Sequence, residues 1–155
     1  MESSKPLGYL LGQSKRVFKS QLVSGFREKE IGLTFEQFVI LNLLSSNCDL
    51  IQRDLANQLQ KDKSIIVRQI NCLLENQFVV RITNKDDKRI KNLILTKKGF
   101  EILNQMKEIA SEVSAKLLSG VSSNEMEIFQ NVLMKILENG GAEPDSSNCG
   151  LNQLK

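Results

Sequence analysis

The sequence predicts a mainly α-helical chain with one small two-stranded β-ribbon set between helices. Three observations carry that expectation. Apolar side chains recur at steps of three, four and seven over most of the 155 residues, which places them along one face of a helix. The period changes to alternation only around residues 79–83 and 92–95, where β-branched residues and leucines gather. Between those two runs lies NKDDKRIK (84–91), a charged stretch suited to a hairpin tip.

Taken in order, Pro6 suits a first helical turn, and Leu7, Leu11, Phe18, Leu22 and Phe26 follow on one face, widened by Leu10 and Val17. This long helix is expected to end at Gly32. Its apolar face is broader than one small head would cover, which points to a second subunit. Thr34 opens the next helix with Gln37 in capping-box relation, and Phe38, Leu41 and Leu44 form its inner face. Beyond the polar Ser45, Ser46 and Asn47, Asp49 is placed to cap a short helix striped by Ile51, Leu55 and Leu59, where Ala56 admits a close neighbour.

Gln60 and Lys61 make a turn. Asp62 then heads the helix of residues 62–75 (DKSIIVRQINCLLE), its carboxylate expected to accept from the first free amides. At helical spacing Ile66, Ile70, Leu73 and Leu74 share one face, and Ser64, Arg68, Asn71 and Glu75 share the opposite one. In the hairpin, Val80 and Ile82 alternate with Arg81 and Thr83, and Leu93 and Leu95 with Asn92 and Ile94. Gly99 separates this ribbon from a helix of about residues 100–118 with a heptad-like seam of Leu103, Met106, Ala110, Val113 and Leu117. Ser122 and Glu125 open a last helix carrying Phe129, Val132, Leu133, Ile136 and Leu137, which stops at Gly140 and Gly141. The expected division is therefore an N-terminal dimerisation helix (1–32), a winged helix-turn-helix (33–99), C-terminal dimerisation helices (100–139) and a flexible tail (140–155).

Composition narrows the function. A hydrophobic fraction of 41% and a charged fraction of 25% fit an ordinary globular chain, and no apolar run approaches the roughly 20 residues that span a bilayer. The first six residues are polar, so the expectation is a cytoplasmic protein with no membrane partner. Cys48, Cys72 and Cys149 are odd in number and lack metal spacing, and there is no histidine, so neither a metal nor another cofactor is expected. Asp86 and Asp87 are paired carboxylates on a charged tip, without a phosphate loop or nucleophile motif, and an enzyme is not expected.

The net charge of +3 hides a segregation. Residues 61–98 hold ten lysines and arginines against four acids, a balance of +6, which leaves −3 for the rest. Lysines on a turn can simply solvate it. Here the charge coincides with a helix whose outer face is polar and with a hairpin, as contact with DNA phosphates requires. The outer face of helix 62–75 is therefore read as entering a DNA major groove, with Arg68 suited to guanine and Asn71 to adenine. Lys61, Lys63, Ser64, Lys88 and Lys91 are read mainly as phosphate contacts.

With those residues in place, the chain resembles the MarR family of bacterial transcriptional regulators. The resemblance rests on LTFEQFVIL (33–41), Asp54-Leu55-Ala56 with Leu59, Arg68, the strand entry at 79–81, Asp87-Lys88-Arg89, and Leu95-Thr96-Lys97-Lys98-Gly99. It implies a homodimer that binds a pseudo-palindromic operator on double-stranded DNA, with the wings in flanking minor grooves. It further implies that Arg89 is the wing-tip arginine and that Asp87 orients the wing's basic side chains. A guanidinium suits the negative potential of a narrow A·T-rich groove better than a lysine does.

The family usually places small hydroxyl residues where this chain has Ile65 and Val67, a glycine at Gln77, and a hydroxyl cap at Ile51. Ile65 falls near the reading edge, where contact with a thymine methyl and partial burial are both open readings, burial at least as readily; at Gln77 a strained residue or a different helix exit is the expectation. The family also commonly senses a small lipophilic or phenolic effector, for which Tyr9, Phe18, Phe38 and Met106 are candidate lining residues, each more readily read as core. The functional expectation is a sequence-specific DNA-binding regulator, a repressor released by such an effector. The competing expectation is a winged-helix module that docks protein, which acidic residues on the outer face of helix 62–75 would favour; only Glu75 lies there.

Overall fold

The structure, a computed structural model, describes residues 5–46 and 50–142. The described elements follow in the order α1 (Leu7–Glu28), α2 (Phe35–Ser46), α3 (Gln52–Leu59), α4 (Lys63–Glu75), β1 (Val79–Thr83), β2 (Lys91–Leu95), α5 (Lys97–Leu117) and α6 (Ser123–Asn139). Helix α2 is central because it is apolar on more than one side, and it touches α1, α4, α5 and β2. Its Ile40, Leu41 and Leu44 share one core with Leu55, Ile66, Ile70, Leu73, Val79, Leu93, Leu103 and Met106. Helix α1 lies along α5, and Gly25 lets it approach closely: a Cβ there would fall 2.7 Å from Ile109 Cγ2. Phe26 and Phe38 meet edge to face, 5.5 Å between centroids, which locks α1 onto α2.

The expected capping boxes of α2 and α6 form. Thr34 N–H donates to Gln37 Oε1 (2.9 Å) and Gln37 N–H to Thr34 Oγ1 (3.2 Å). Ser122 N–H donates to Glu125 Oε2 (2.8 Å) and Glu125 N–H to Ser122 Oγ (3.2 Å). Other helix ends differ from expectation. Asp62 stands at the N-cap of α4, but its side chain makes no capping bond. At α3 the cap is Ile51, which has no acceptor to offer; instead Asp54 Oδ2 accepts from Ile51 N–H at 3.0 Å. Asp49, expected to cap α3, lies outside the described residues, as do Cys48, Cys149 and residues 143–155 of the expected tail.

Helix α1 ends at Glu28, short of Gly32, because the left-handed residue is Glu30 (φ 55°). Ile31 N–H donates back to Phe26 O and Glu30 N–H to Arg27 O, the paired bonds of a Schellman exit, and half-buried Ile31 holds the chain against the core. The same exit recurs after α3 at Gln60 (φ 48°) and after α4 at Gln77 (φ 60°), where Phe78 N–H donates to Leu73 O and Gln77 N–H to Leu74 O. Gln77 is therefore strained as expected, by roughly 1–2 kcal/mol for a side chain in left-handed backbone.

Strands β1 and β2 are antiparallel, with Val79 opposite Leu95 and Thr83 opposite Lys91. Leu93 N–H also donates to Leu50 O (3.0 Å), tying β2 to the segment before α3. The alternation read in β1 does not translate into burial: Val79 is buried, while Val80 and Ile82 are exposed. The ribbon projects past the core, so its outer face has nothing to pack against. Gly99 does not separate wing from helix. Thr96 is the N-cap of α5, and Gly99 sits buried in the first turn. In α5 the buried stripe is Gly99, Leu103, Met106 and Ile109, while Ala110, Val113 and Leu117 are half-buried.

Helix α6 buries no residue, and Ile128, Phe129, Val132, Met134, Ile136 and Leu137 are all exposed. At the other end of the chain Leu7, Tyr9, Leu10 and Val17 of α1 are exposed too. No described helix is long and apolar enough to cross a membrane.

Candidate nucleic-acid interface

Two short helices and a tight turn build the centre of the interface. Leu55 and Ala56 of α3 pack with Ile66, Ile70 and Leu73 of α4, and these contacts fix the rotational setting of α4 about its axis. The opposite side of α4 then points to solvent. Ser64, Arg68 and Asn71 are all exposed, as are Lys61 in the turn and Lys63 at the helix start. The sequence-based division of α4 into a buried and an open face is what the structure shows, except that Leu74 is only half-buried.

The wing tip is organised by one asparagine and one aspartate. Asn84 Oδ1 accepts from Asp86 N–H (2.8 Å) and Asp87 N–H (3.2 Å), which turns the chain after β1. Asn84 N–H donates to Ile90 O and Ile90 N–H to Asp87 O, closing the tip. Asn84 Nδ2 also donates to Asn92 Oδ1 (3.1 Å), which satisfies buried Asn92 inside the ribbon. Asp87 then grips Arg89: Oδ1 accepts from Arg89 N–H (2.9 Å) and Nε–H (3.2 Å), and Oδ2 from Nη2 (3.2 Å). The Arg89 guanidinium beside Asp87 is the main reason its carboxyl titrates below the usual aspartate range, and the Arg89 amide adds to it. Although gripped, the Arg89 side chain is 91% exposed, so it is aimed rather than buried.

All ten basic side chains of residues 61–98 are exposed. Among the described residues, Arg89 is the one of these ten with a carboxylate within 4.0 Å. Lys88 and Lys91 flank it, and Lys91 Nζ donates to Thr83 Oγ1 (2.6 Å) across the ribbon. Arg81 Nη2 reaches Gln52 Oε1 on α3 (3.2 Å), linking the wing's base to the helix pair.

The junction of α4, β1 and α5 sets how helix and wing stand to each other, and its bonding was not legible beforehand. Thr96 Oγ1 donates to Gln77 O (2.7 Å), Thr96 N–H donates to Phe78 O (3.1 Å), and Lys98 Nζ donates to Asn76 O (2.9 Å). Lys98 Nζ also sits 4.7 Å from the centroid of the Phe78 ring. A Cβ on Gly99 would fall 2.1 Å from Phe78 O, so only glycine admits this approach. From the sequence, Leu95 and Asn92 belong to the strand and Gly99 is a separator, but no bond is assigned to Asn84, Asn92 or Thr96.

The four residues read as lining an effector site are not gathered around one opening. Met106 is core, Phe38 packs on Phe26, Phe18 is half-buried, and Tyr9 is exposed beneath Lys5. A groove of about 420 Å³ lies instead along α1, lined by Arg16, Lys19, Ser20, Val23, Ser24 and Arg27. Among the described residues no group of three or more histidines, cysteines and carboxylates could hold a metal ion.

Comparison with known proteins agrees with this geometry. Residues 33–91 match the model of the MarR family. The chain is 26% identical over 117 residues to an uncharacterised HTH-type transcriptional regulator, YybA, of Bacillus subtilis (strain 168), covering 76% of this chain and 78% of that one. The solved structure of transcriptional regulator PA3341 superposes with a TM-score of 0.77 at 27% identity, covering 89% of this chain and 100% of that one. The apo form of wild-type MarR from E. coli shares the fold, with a TM-score of 0.76 at 22% identity over 87% of this chain and 99% of that one. With an exposed cationic helix-and-wing head on a mainly helical frame, the chain has the winged helix-turn-helix fold and is similar, over residues 33–91, to the MarR family, and over most of its length to regulators of transcription.

Proposed function

We propose that this protein is a homodimeric, sequence-specific repressor that binds a pseudo-palindromic operator in the cytoplasm. The observation that carries the reading is the coincidence, on one surface, of the open face of α4 with the exposed, Asp87-held Arg89 of the wing. Arg68 and Asn71 read base edges in the major groove, and Arg89 enters the adjoining minor groove. Lys61, Lys63, Ser64, Lys88 and Lys91 contact phosphates and set the register. The uncovered apolar faces of α6 and of the start of α1 support the dimer, since a helix that buries nothing is marginal alone in water. Occupying the operator is enough to exclude a polymerase, which is the basis for reading a repressor. A small lipophilic or phenolic effector would have to open the α1–α2–α5 junction, because Phe38 and Met106 are packed there.

Titrating the operator and a random duplex at two salt concentrations tests the division of roles. Arg68→Ala is expected to cost about 1–3 kcal/mol on the operator and to relax specificity. Lys88→Ala is expected to weaken both duplexes alike and to lower the salt slope by about 1. Equal losses on operator and random duplex for both variants would contradict the assignment. Failure of the unmodified chain to bind either duplex would favour a protein-docking module.

A further inference from the structure

One exposed apolar residue stands at the edge of the polar reading face. Ile65, in the first turn of α4, is 44% exposed, while its neighbour Ile66 is 1% exposed in the core. Ile65 is not among the side chains that form the core or pack against it, so core burial does not account for a β-branched hydrophobe at this position. It is flanked by exposed Ser64 and, one turn on, by exposed Arg68. Side chains three apart on a helix have their Cβ atoms about 5–6 Å from each other, between one and two of the roughly 3.4 Å steps between stacked bases. The first turn of a groove-bound helix is also the part that meets base edges.

We propose that Ile65 reads the C5-methyl of a thymine lying within two base pairs of the guanine read by Arg68. This rests on α4 being the major-groove helix. Among the groups that B-DNA presents in the major groove, the thymine methyl is the apolar one, so an exposed isoleucine there discriminates thymine from cytosine without a hydrogen bond. The dehydration of Ile65 on binding supplies the gain. A serine at the same place would accept or donate to several bases and would tolerate either pyrimidine. Ile65 therefore narrows the operator by a contact that the polar residues of α4 do not make.

The test starts from duplexes that the full chain enriches from a random pool. In the enriched duplex each thymine within two base pairs of the common guanine is replaced in turn by deoxyuridine, which removes the methyl and keeps the pairing. The expected result is a loss of about fourfold per half-site, the worth of one buried methyl, that disappears in Ile65→Ser. Because Ile65 is exposed, Ile65→Ser should melt within about 2 °C of the unmodified protein. No deoxyuridine effect on the unmodified chain, or the same loss in both proteins, overturns the assignment of Ile65 while leaving α4 as the reading helix. A pool that yields no enriched duplex overturns that prior reading itself.

Discussion

Asp87 is the residue that turns a loop tip into an aimed group. A wing arginine free to rotate would lose conformational entropy on entering a groove, and a carboxylate bonded to its amide, Nε and Nη2 removes part of that freedom beforehand. The sign of the pH dependence follows from the direction of the Asp87 shift. Its folded value lies below the ordinary 3.8, so the grip is intact above 3.8 and is lost only as pH falls through the lowered value. An NMR titration of the Asp87 carboxyl carbon should give a midpoint below 3.8, and Arg89→Ala should raise it toward that value. Identical midpoints in the two proteins would show that the guanidinium does not hold the carboxylate. At this scale, residues with local partners were legible in the sequence. Thr34 with Gln37 and Ser122 with Glu125 bond three residues apart, whereas Asn84 with Asn92 and Thr96 with Gln77 depend on strand register and on helix placement, which no local pattern reports.

Periodicity located the helices well, because burial of one face is what fixes a helix in a core. It was less informative for the ribbon. Alternation in β1 signals a strand, but whether the apolar residues point inward depends on what covers each face, and here Val80 and Ile82 stay outside. The exit of α1 was misjudged because a hydrophobic residue, not a glycine, decides it: Ile31 is drawn back to the core and Glu30 takes the left-handed backbone that results, as Phe78 and Gln77 do after α4, where the strain was expected. The converse holds at Gly99, which looks like a breaker and is a contact point inside α5. Gly99→Ala should therefore destabilise the protein by about 1–3 kcal/mol, read as a lower midpoint in urea, since the new Cβ meets the backbone oxygen of Phe78 and not a yielding side chain. Loss below about 0.5 kcal/mol would mean that α5 can move away from the wing at little cost.

For the whole molecule, the helix-and-wing head is packed within one chain, while the apolar faces of α6 and of the start of α1 are exposed on it. The core gathers around α2, and α6 contributes no buried residue to it. The breadth of the apolar stripes on the first and last helices was visible in the sequence; what covers them was not, because spacing along one chain does not say whether the neighbour is the same chain or another. A second copy placed against α6 and the start of α1 gives two α4 helices and two wings related by a two-fold axis. A duplex touching both must repeat its sequence in inverted order at the spacing of the two helices. Selecting bound duplexes from a random pool measures that relation directly. The expected outcome is an inverted repeat with half-site centres about 10 base pairs apart; enrichment of a single unpaired half-site, a direct repeat or no sequence at all would contradict the account.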